Sequence, residues 1–478
     1  MIAMQDRRYK PVTPEIVANL ENICGREAVI FRDPGRLDKF SRDAVAGKKY
    51  ARRPEVVVMP ATTEAVAAVM RLANETRVPV TPRAGGSGLS GGAVPVHGGI
   101  VLSVERMNRI LEIDTRNLMA VVEPGVITNH LDAALKEHGL FFAGYPMSEE
   151  ICCIAGNVAE NAGGGRAVKY GVTGRYIHGL EVVTPEGRIF QAGGKRVKDV
   201  TGYDLVQLMI GSEGTLGIFT KVFIRLLPRP SHRVTLLALF DRVDTAVALI
   251  ARVMAEGGLI PSAVEFMDGE VFALASRDLK YDFPYASTKA ALLFEVDGRF
   301  ADTVTREAET VAGLCRAAGA VAIHRAASDA EAEGFWNIRK RIIWVLKRHA
   351  PRQSVEDIVV PIAAITELLP ELEDIGRRYG VRIPVYGHAA DGNLHATPLK
   401  DPDQSEADWE VMLPELLSDI YRATARLGGT ISGEHGIGHK RRDFLELVMD
   451  PAQIDIMRRI KQALDPNGIL NPGKIFPG

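Results

Sequence analysis

Four of the chain's 11 histidines fall between positions 388 and 439. The run Gly387-His388-Ala389-Ala390-Asp391-Gly392-Asn393-Leu394-His395 reads as strand, turn, strand. If Ala390 to Asn393 form a four-residue hairpin loop, Ala389 faces Leu394 and His388 faces His395. Both imidazoles then project from one face as neighbours, which is chelating geometry. A second run, Ser432-Gly433-Glu434-His435-Gly436-Ile437-Gly438, sets a carboxylate beside a histidine among glycines. His388, His395 and Glu434 together make an open three-ligand set that leaves positions for water or substrate. Such donors suit zinc or manganese, and they also match a non-haem iron triad, so ligand type alone does not name the divalent metal.

Three glycine clusters suggest a second, longer ligand. Residues 82–92, Pro-Arg-Ala-Gly-Gly-Ser-Gly-Leu-Ser-Gly-Gly, hold five glycines in eleven positions. That density lets the backbone turn tightly and present several N–H groups to a pyrophosphate. The run contains Gly86-x-Gly88-x-x-Gly91, but Gly91-Gly92-Ala93-Val94-Pro95 cannot open the helix that a dinucleotide fingerprint requires. The other clusters, Gly156 to Gly165 and Gly211 to Ile218, place Asn, Ser and Thr near apolar runs. Any one of the three could be a structural turn; three in one domain suit a ligand contacted along its length.

The elements that must carry these segments fall into three zones. To about residue 228 the chain is rich in Gly and in Val/Ile runs. Glu55 to Met59 reads as a buried strand, and Thr63 to Thr76 as a helix capped by Thr63 with Val66, Val69, Met70 and Ala73 on one face. Val78-Pro79-Val80 opens another strand, and Ile100 to Val104 and Ala120 to Glu123 follow. Pro228-Arg229-Pro230 breaks any regular element. From 229 to 427, strands such as Val234 to Phe240 and Ala291 to Val296 alternate with helices. The clearest helix is Asp302 to Ala318, with Asp302 as its cap, and a smaller antiparallel sheet is expected there. From 428 to 478, the Gly/His cluster precedes helices ending near Leu464.

Length and composition agree with this division. A chain of 478 residues exceeds one ordinary core. Charged residues make up 25 % and the net charge is −2, so no pull toward nucleic acid or an anionic membrane follows. Cys24, Cys152, Cys153 and Cys315 form no CxxC pair, so the chain carries no cysteine knuckle for zinc or an iron–sulfur cluster. The start, Met1 to Lys10, is polar and no apolar run approaches the ~18 residues of a spanning helix. Cytoplasmic placement is expected, with peripheral contact at the inner membrane face left open.

These residues carry a family resemblance. Pro82 to Gly92, Cys153 to Gly164, Gly211 to Ile218, Gly387 to His395 and Ser432 to Gly438, in this order, make the chain similar to the FAD-linked oxidases of the vanillyl-alcohol oxidase/PCMH superfamily. Within it, the chain resembles bacterial D-lactate dehydrogenases and the FAD subunit of glycolate oxidase. The resemblance implies an α+β fold: a PCMH-type FAD-binding domain (1–228), an antiparallel-sheet cap or substrate domain (229–427), and a C-terminal helical segment (428–478) that packs back on the first domain. It implies that Pro82, Arg83, Ala84, Gly85, Gly86, Ser87, Gly88, Leu89, Gly92 and Ala93 wrap the FAD pyrophosphate. Pro124, Gly125, Pro146, Ser148, Gly156, Asn157, Asn161, Gly163, Gly164, Gly171, Glu213, Gly214, Ile218 and Asn471 would line the rest of the cofactor. Covalently flavinylated relatives carry a His in the glycine loop; this loop has none, so FAD is expected to be non-covalent. His388, His395 and Glu434 fall on the family's metal ligands, His435 on its base, and Arg339 where relatives bind the substrate carboxylate; Asn393 is close enough to join that pocket.

Two departures bear on substrate. Tyr145-Pro146-Met147-Ser148 replaces a more usual Asp-Pro-type turn near the flavin. The hydroxyglutarate-oxidising branch has a Lys shortly before the proline corresponding to Pro361, where this chain reads Ser354-Val355-Glu356-Asp357-Ile358. A second substrate carboxylate would lack its cation and meet two acidic groups. The expectation is an FAD- and metal-dependent dehydrogenase of a small D-2-hydroxy acid, D-lactate or glycolate. Its electrons would pass to an electron-transfer flavoprotein, an iron–sulfur subunit, a quinone or a cytochrome. A homodimer is compatible with the sequence. The alternatives are a D-2-hydroxyglutarate-type dehydrogenase, an FAD-dependent ether-lipid-type transferase, a non-haem iron oxygenase and an electron-relay subunit. For Arg339 the alternative is a surface salt bridge.

Overall fold

The computed structural model describes residues 9–45 and 47–477, so most of the polar start lies outside the described residues. Contacts divide the chain into two units. The first comprises residues 1–162, 172–229 and 434–478; the second comprises 163–171 and 230–433.

The first unit holds a four-stranded sheet in the order Val29–Phe31, Val56–Val58, Ile100–Ser103, Val80–Arg83. Val56–Val58 and Val80–Arg83 both pair parallel to Ile100–Ser103, so the opening β-α-β run forms around a strand that arrives later in the chain. The connecting helix, Thr63–Thr76, buries Val66, Val69, Met70 and Ala73. Its cap is Thr62 rather than Thr63: the Thr62 hydroxyl accepts from the Ala65 N–H at 3.2 Å, and Thr63 turns inward to Glu181. Arg77, in the left-handed region at φ 54, ends it. Ile110–Asp114, Met119–Val122, Ile218–Arg225, Ile177–Val183 and Ile189–Gly193 form a five-stranded antiparallel sheet in that order. The chain end returns to this unit through the helix Pro451–Leu464 and the buried pair Ile469 and Leu470, which join the core around Val80.

The second unit is built on one antiparallel sheet of seven strands, not the smaller sheet expected. Its order is Ala322–Arg325, His232–Phe240, Ala290–Gly298, Ala263–Asp268, Val385–His388, Asn393–Ala396, Glu356–Val359. The nine-residue strands His232–Phe240 and Ala290–Gly298, each with a five-residue apolar run, pair along their whole length. The longest of the helices around it are Ala301–Ala317, Asp329–His349 and Glu406–Arg426. Ala301–Ala317 lacks the expected Asp302 cap; Phe300 occupies the N-cap with no side-chain bond, and Asp302 sits inside the first turn. Asp329–His349 does carry a cap, Ser328, whose hydroxyl accepts from Glu331 N–H.

The boundaries follow from hydrogen bonds. Residues 163–171 belong with the second unit because Arg166 donates to Glu295 at 3.2 Å, and Lys169 and Tyr170 to Asp297 at 2.6 and 2.8 Å. Thr430 exchanges bonds with Val359, and Gly433 N–H donates to Asp357, so the unit ends at 433 rather than 427. Among the described residues, no helix is long and apolar enough to cross a membrane.

Candidate functional site

In the second unit, His388 ends its strand and Asn393 begins the next. The register pairs His388 with Asn393 and Tyr386 with His395, two residues from the register expected. The cause is the connection: Ala389–Asp391 wind into a 3₁₀ turn and Gly392, at φ 82, closes the loop one position earlier. A slip of two preserves the face of every side chain. His388 and His395 therefore remain neighbours, as diagonal partners with ring centroids 5.5 Å apart at 84°.

Around this pair lies a buried polar cluster. Glu265, fully buried in the strand Ala263–Asp268, uses one carboxylate oxygen for His388 Nδ1 and the other for Arg339 Nε, each at 2.6 Å. A carboxylate accepts, so His388 donates from Nδ1 and its Nε2 carries the lone pair. Burial alone would raise the Glu265 carboxyl; a protonated His388, the Arg339 charge and the hydrogen bonds from both more than offset it and hold it below the usual carboxylate range, whereas a neutral His388 contributes only its hydrogen bond. Arg339, 5 % exposed on the helix Asp329–His349, lays its guanidinium over the Tyr386 ring at 4.9 Å. Its Nη2 is buried and has no partner among the described residues. The surface-salt-bridge alternative for Arg339 therefore fails, since the pair it makes is interior. Gly165 belongs here too: a Cβ would lie 2.6 Å from Glu265 Oε1 and 3.2 Å from Trp336 Cη2, so only glycine lets the chain pass.

Asp357 organises the other edge. Its carboxylate accepts from Asn393 Nδ2 at 2.8 Å, Ser432 Oγ at 2.8 Å and Gly433 N at 2.9 Å, and His395 Nδ1 lies 3.8 Å away. The paired acids of the sequence reading do not act together. Strand alternation turns Glu356 to the opposite face, where it meets Ser354 Oγ and Tyr421 OH. Only Asp357 remains on the histidine side.

The first unit gathers the glycine clusters. Pro82 and Arg83 end the strand Val80–Arg83, and Ala84 to Leu89, Gly92 and Ala93 continue as irregular loop with no helix. Arg83 donates to Arg42 O at 2.8 Å and lies over the Phe40 ring. Gly156 and Asn157 lie on the helix Ile154–Glu160, Asn161 caps it at φ 52, and Ala155 N–H donates to Pro124 O. Gly125 N–H donates to Met107 O, while the Ser148 carbonyl receives Ile151 and Cys152; Pro146 lies just before that turn. Glu213 N–H donates to Ala159 O at 2.8 Å, and Asn471 Nδ2 reaches both Glu213 O and Gly92 O, at 2.8 and 3.2 Å. All three clusters are thus joined by hydrogen bonds. Gly214 follows in the same turn and Ile218 opens the strand Ile218–Arg225. Among the described residues, the N–H groups of Gly86, Ser87, Gly88 and Leu89 have no protein partner, as a loop built to meet anionic oxygens requires. Glu434 and His435 also belong to this unit, with His435 Nε2 3.7 Å from Glu434 Oε1. Gly163, Gly164 and Gly171 lie in the stretch 163–171 of the second unit.

The sequence reading missed Glu265 and Tyr386 and gave Asp357 only a repelling role. One signal for Glu265 was present: a lone carboxylate inside an apolar strand, Ala263-Val264-Glu265-Phe266-Met267.

A model of FAD binding domains matches residues 54–193, and one of the C-terminal domain of FAD linked oxidases matches 229–475. Glycolate oxidase subunit GlcD of Bacillus subtilis (strain 168) is 39 % identical over 468 residues, covering 97 % of each chain. D-lactate dehydrogenase of Anaerostipes hadrus is 35 % identical over 477 residues, covering 99 % of each. Among solved structures, p-cresol methylhydroxylase with substrate bound superposes with a TM-score of 0.81 over 98 % of both chains at 18 % identity, a likeness of fold. The fold is α+β, with a PCMH-type FAD-binding domain and a sheet-rich second domain.

Proposed function

Because the chain belongs to the FAD-linked oxidases and is an FAD-linked oxidoreductase, we propose that it oxidises a small D-2-hydroxy acid, D-lactate or glycolate, to the 2-keto acid. The observation that carries this reading is Arg339: a buried guanidinium whose Nη2 has no partner among the described residues, beside two imidazoles. A buried donor without an acceptor costs about 1–3 kcal/mol, and a substrate carboxylate would remove that cost. The names of the two relatives, a glycolate oxidase subunit and a D-lactate dehydrogenase, agree in substrate class.

His388, His395 and Glu434 would hold a divalent metal, zinc or manganese, with iron as an alternative. The donor chemistry fits: Glu265 accepts the hydrogen bond of a His388 Nδ1–H and so leaves Nε2 as the ligand atom, the carboxylate–histidine pairing common behind metal ligands. Glu434 follows Gly433, whose N–H is fixed on Asp357. The metal would supply Lewis acidity at the substrate hydroxyl, and FAD the electron sink. The rest of the work falls to side chains. Arg339 fixes the carboxylate, Asn393 sits at the pocket edge with its amide held by Asp357, and His435 takes the hydroxyl proton. Electrons then leave to an electron-transfer flavoprotein, an iron–sulfur subunit, a quinone or a cytochrome.

The test is an anaerobic spectrum of the FAD-loaded protein with divalent metal, titrated with D-lactate, L-lactate, glycolate and D-2-hydroxyglutarate. Bleaching of the oxidised-flavin band by a small acid, abolished by a chelator, is the expected result. His435→Ala should slow it about 10²–10⁴-fold. A flavin that none of the four bleaches would overturn the proposal.

A further inference from the structure

The resemblance assigns Glu213 to the cofactor, but its carboxylate is committed elsewhere. Oε1 accepts from Ile437 N–H at 2.8 Å and Oε2 from Gly438 N–H at 2.7 Å. Glu213 is 7 % exposed and holds a left-handed backbone at φ 51, a conformation that costs a residue with a Cβ. Its backbone is pinned as well, by Ala159 O on the amide and by Asn471 on the carbonyl. Beside it, the Lys474 ammonium is buried on Val94 O and Asn471 Oδ1, and it supplies positive charge within reach of the carboxylate.

The segment Glu213 holds begins two residues after His435. The same segment has further ties: His439 and Lys440 N–H both donate to Ser90 O at 2.9 Å, and Arg441 Nη1 reaches back to Gly436 O at 3.1 Å. The Ser90 bonds fix residues 439–440 to the glycine loop, and Glu213 engages the N–H groups two and three positions after His435. On the other side of Glu434, Gly433 N–H is held by Asp357. Two buried carboxylates thus pin the backbone before Glu434 and after His435.

We propose that Glu213 is a positioning residue for His435, and not a cofactor contact: its carboxylate fixes the Ile437 and Gly438 amides and so sets where the His435 imidazole meets the substrate hydroxyl. The catalytic part of this inference rests on the function proposed above; the structural part does not.

The test uses the FAD-loaded, metal-supplemented enzyme with Glu213→Gln, which turns one acceptor into a donor facing an N–H. Hydrogen exchange of peptides spanning 434–441 should accelerate by roughly tenfold or more, from the loss of a charge-assisted bond. FAD affinity should stay within about threefold, since no cofactor contact is lost. Flavin reduction by the substrate acid should fall about 10–100-fold, as for other orienting groups behind a reacting residue. In a His435→Ala background the same substitution should cost less than about twofold, because it acts through that imidazole. If Glu213→Gln does not accumulate as folded protein, Glu213→Asp, which retracts the carboxylate by one methylene, is measured for the same exchange and coupling. Unchanged exchange at 434–441 overturns the proposal. So does weakened FAD binding with normal reduction at saturating FAD, or an equal loss with and without His435. If no 2-hydroxy acid reduces the wild-type flavin, the functional reading fails, while the exchange measurement still decides whether Glu213 holds the segment.

Discussion

Glu265→Gln is the perturbation that most directly tests the buried cluster. Glu265 has no exposed surface and serves two donors at 2.6 Å, one per oxygen. Glutamine keeps one acceptor, so either His388 Nδ1–H or Arg339 Nε–H meets an amide NH₂. The lost charge-assisted bond accounts for about 1.5–3 kcal/mol. Leaving the Arg339 guanidinium buried without its counter-charge brings the total to about 3–5 kcal/mol, the usual consequence of breaking one side of an interior pair. At about 2–4 °C per kcal/mol for a unit near 200 residues, unfolding of the second unit should fall by roughly 10 °C. Divalent-metal affinity should drop about 10–100-fold, because the group orienting His388 is weakened. Calorimetry with and without metal, together with metal titration, reads both. The double variant Glu265→Gln/Arg339→Met removes both charges and should recover part of the lost stability. If Glu265→Gln costs neither stability nor metal affinity, or if the double variant is as unstable as the sum of the singles, the charge-pair reasoning is wrong.

Three further outcomes follow from the same geometry. Arg339→Lys cannot serve both Glu265 and a substrate carboxylate from one fork, so KM for the substrate acid should rise by about tenfold or more in steady-state assays, and an unchanged KM would remove Arg339 from the pocket. Gly392→Ala places a Cβ 1.9 Å from Val360 O at φ 82, which should destabilise the protein by about 1–3 kcal/mol or more in thermal unfolding; an unshifted transition would show that the loop adapts freely. Burial pushes the Lys474 ammonium down to about 7, with Asp43 and Glu213 opposing the shift. Between pH ~7 and the ~10.4 of an unfolded lysine, the unfolded chain binds more protons, so stability from this group rises with pH across that window and is lost as pH falls through 7. Urea unfolding at pH 7 and 9 should move wild type up relative to Lys474→Met by about 2–3 kcal/mol, whereas parallel curves would place the ammonium in contact with water.

Much of this site was legible because it is written in local pattern. Glycine clusters, apolar runs and the His-turn-His segment need only neighbours in sequence to be read, and the face shared by His388 and His395 survived a register error because strand parity did. The helix at 63–76 was equally legible, with its cap misplaced by one because Thr62 and Thr63 are chemically equivalent candidates. What stayed hidden is what depends on distant partners. Glu265 acquires meaning only once Arg339 and His388, 74 and 123 positions away, arrive on either side of it. Asp357 and Glu356 look alike in sequence, and only the strand separates them into one acid facing the histidines and one facing Tyr421. The irregular loop at 389–392 is likewise decided by the pairing of three strands rather than by its own residues.

Charge gives an independent reason to expect a cation among these groups. Within the second unit the cluster carries two buried carboxylates, Glu265 and Asp357, against one guanidinium, Arg339. With neutral imidazoles its charge is about −1, and an arriving monocarboxylate makes it −2 in a setting where water cannot screen it. Arg339 alone does not offset this, because Glu265 already draws on it. A dication offsets two of these charges; Glu434, the proposed third ligand, adds one more and leaves the loaded site near −1. The metal would then matter for holding an anionic substrate as well as for acidifying its hydroxyl, so chelation should raise KM and lower kcat together. The same arithmetic disfavours a dicarboxylate: its second charge takes the loaded site to about −2, and no lysine stands in the stretch Ser354 to Ile358 to answer it.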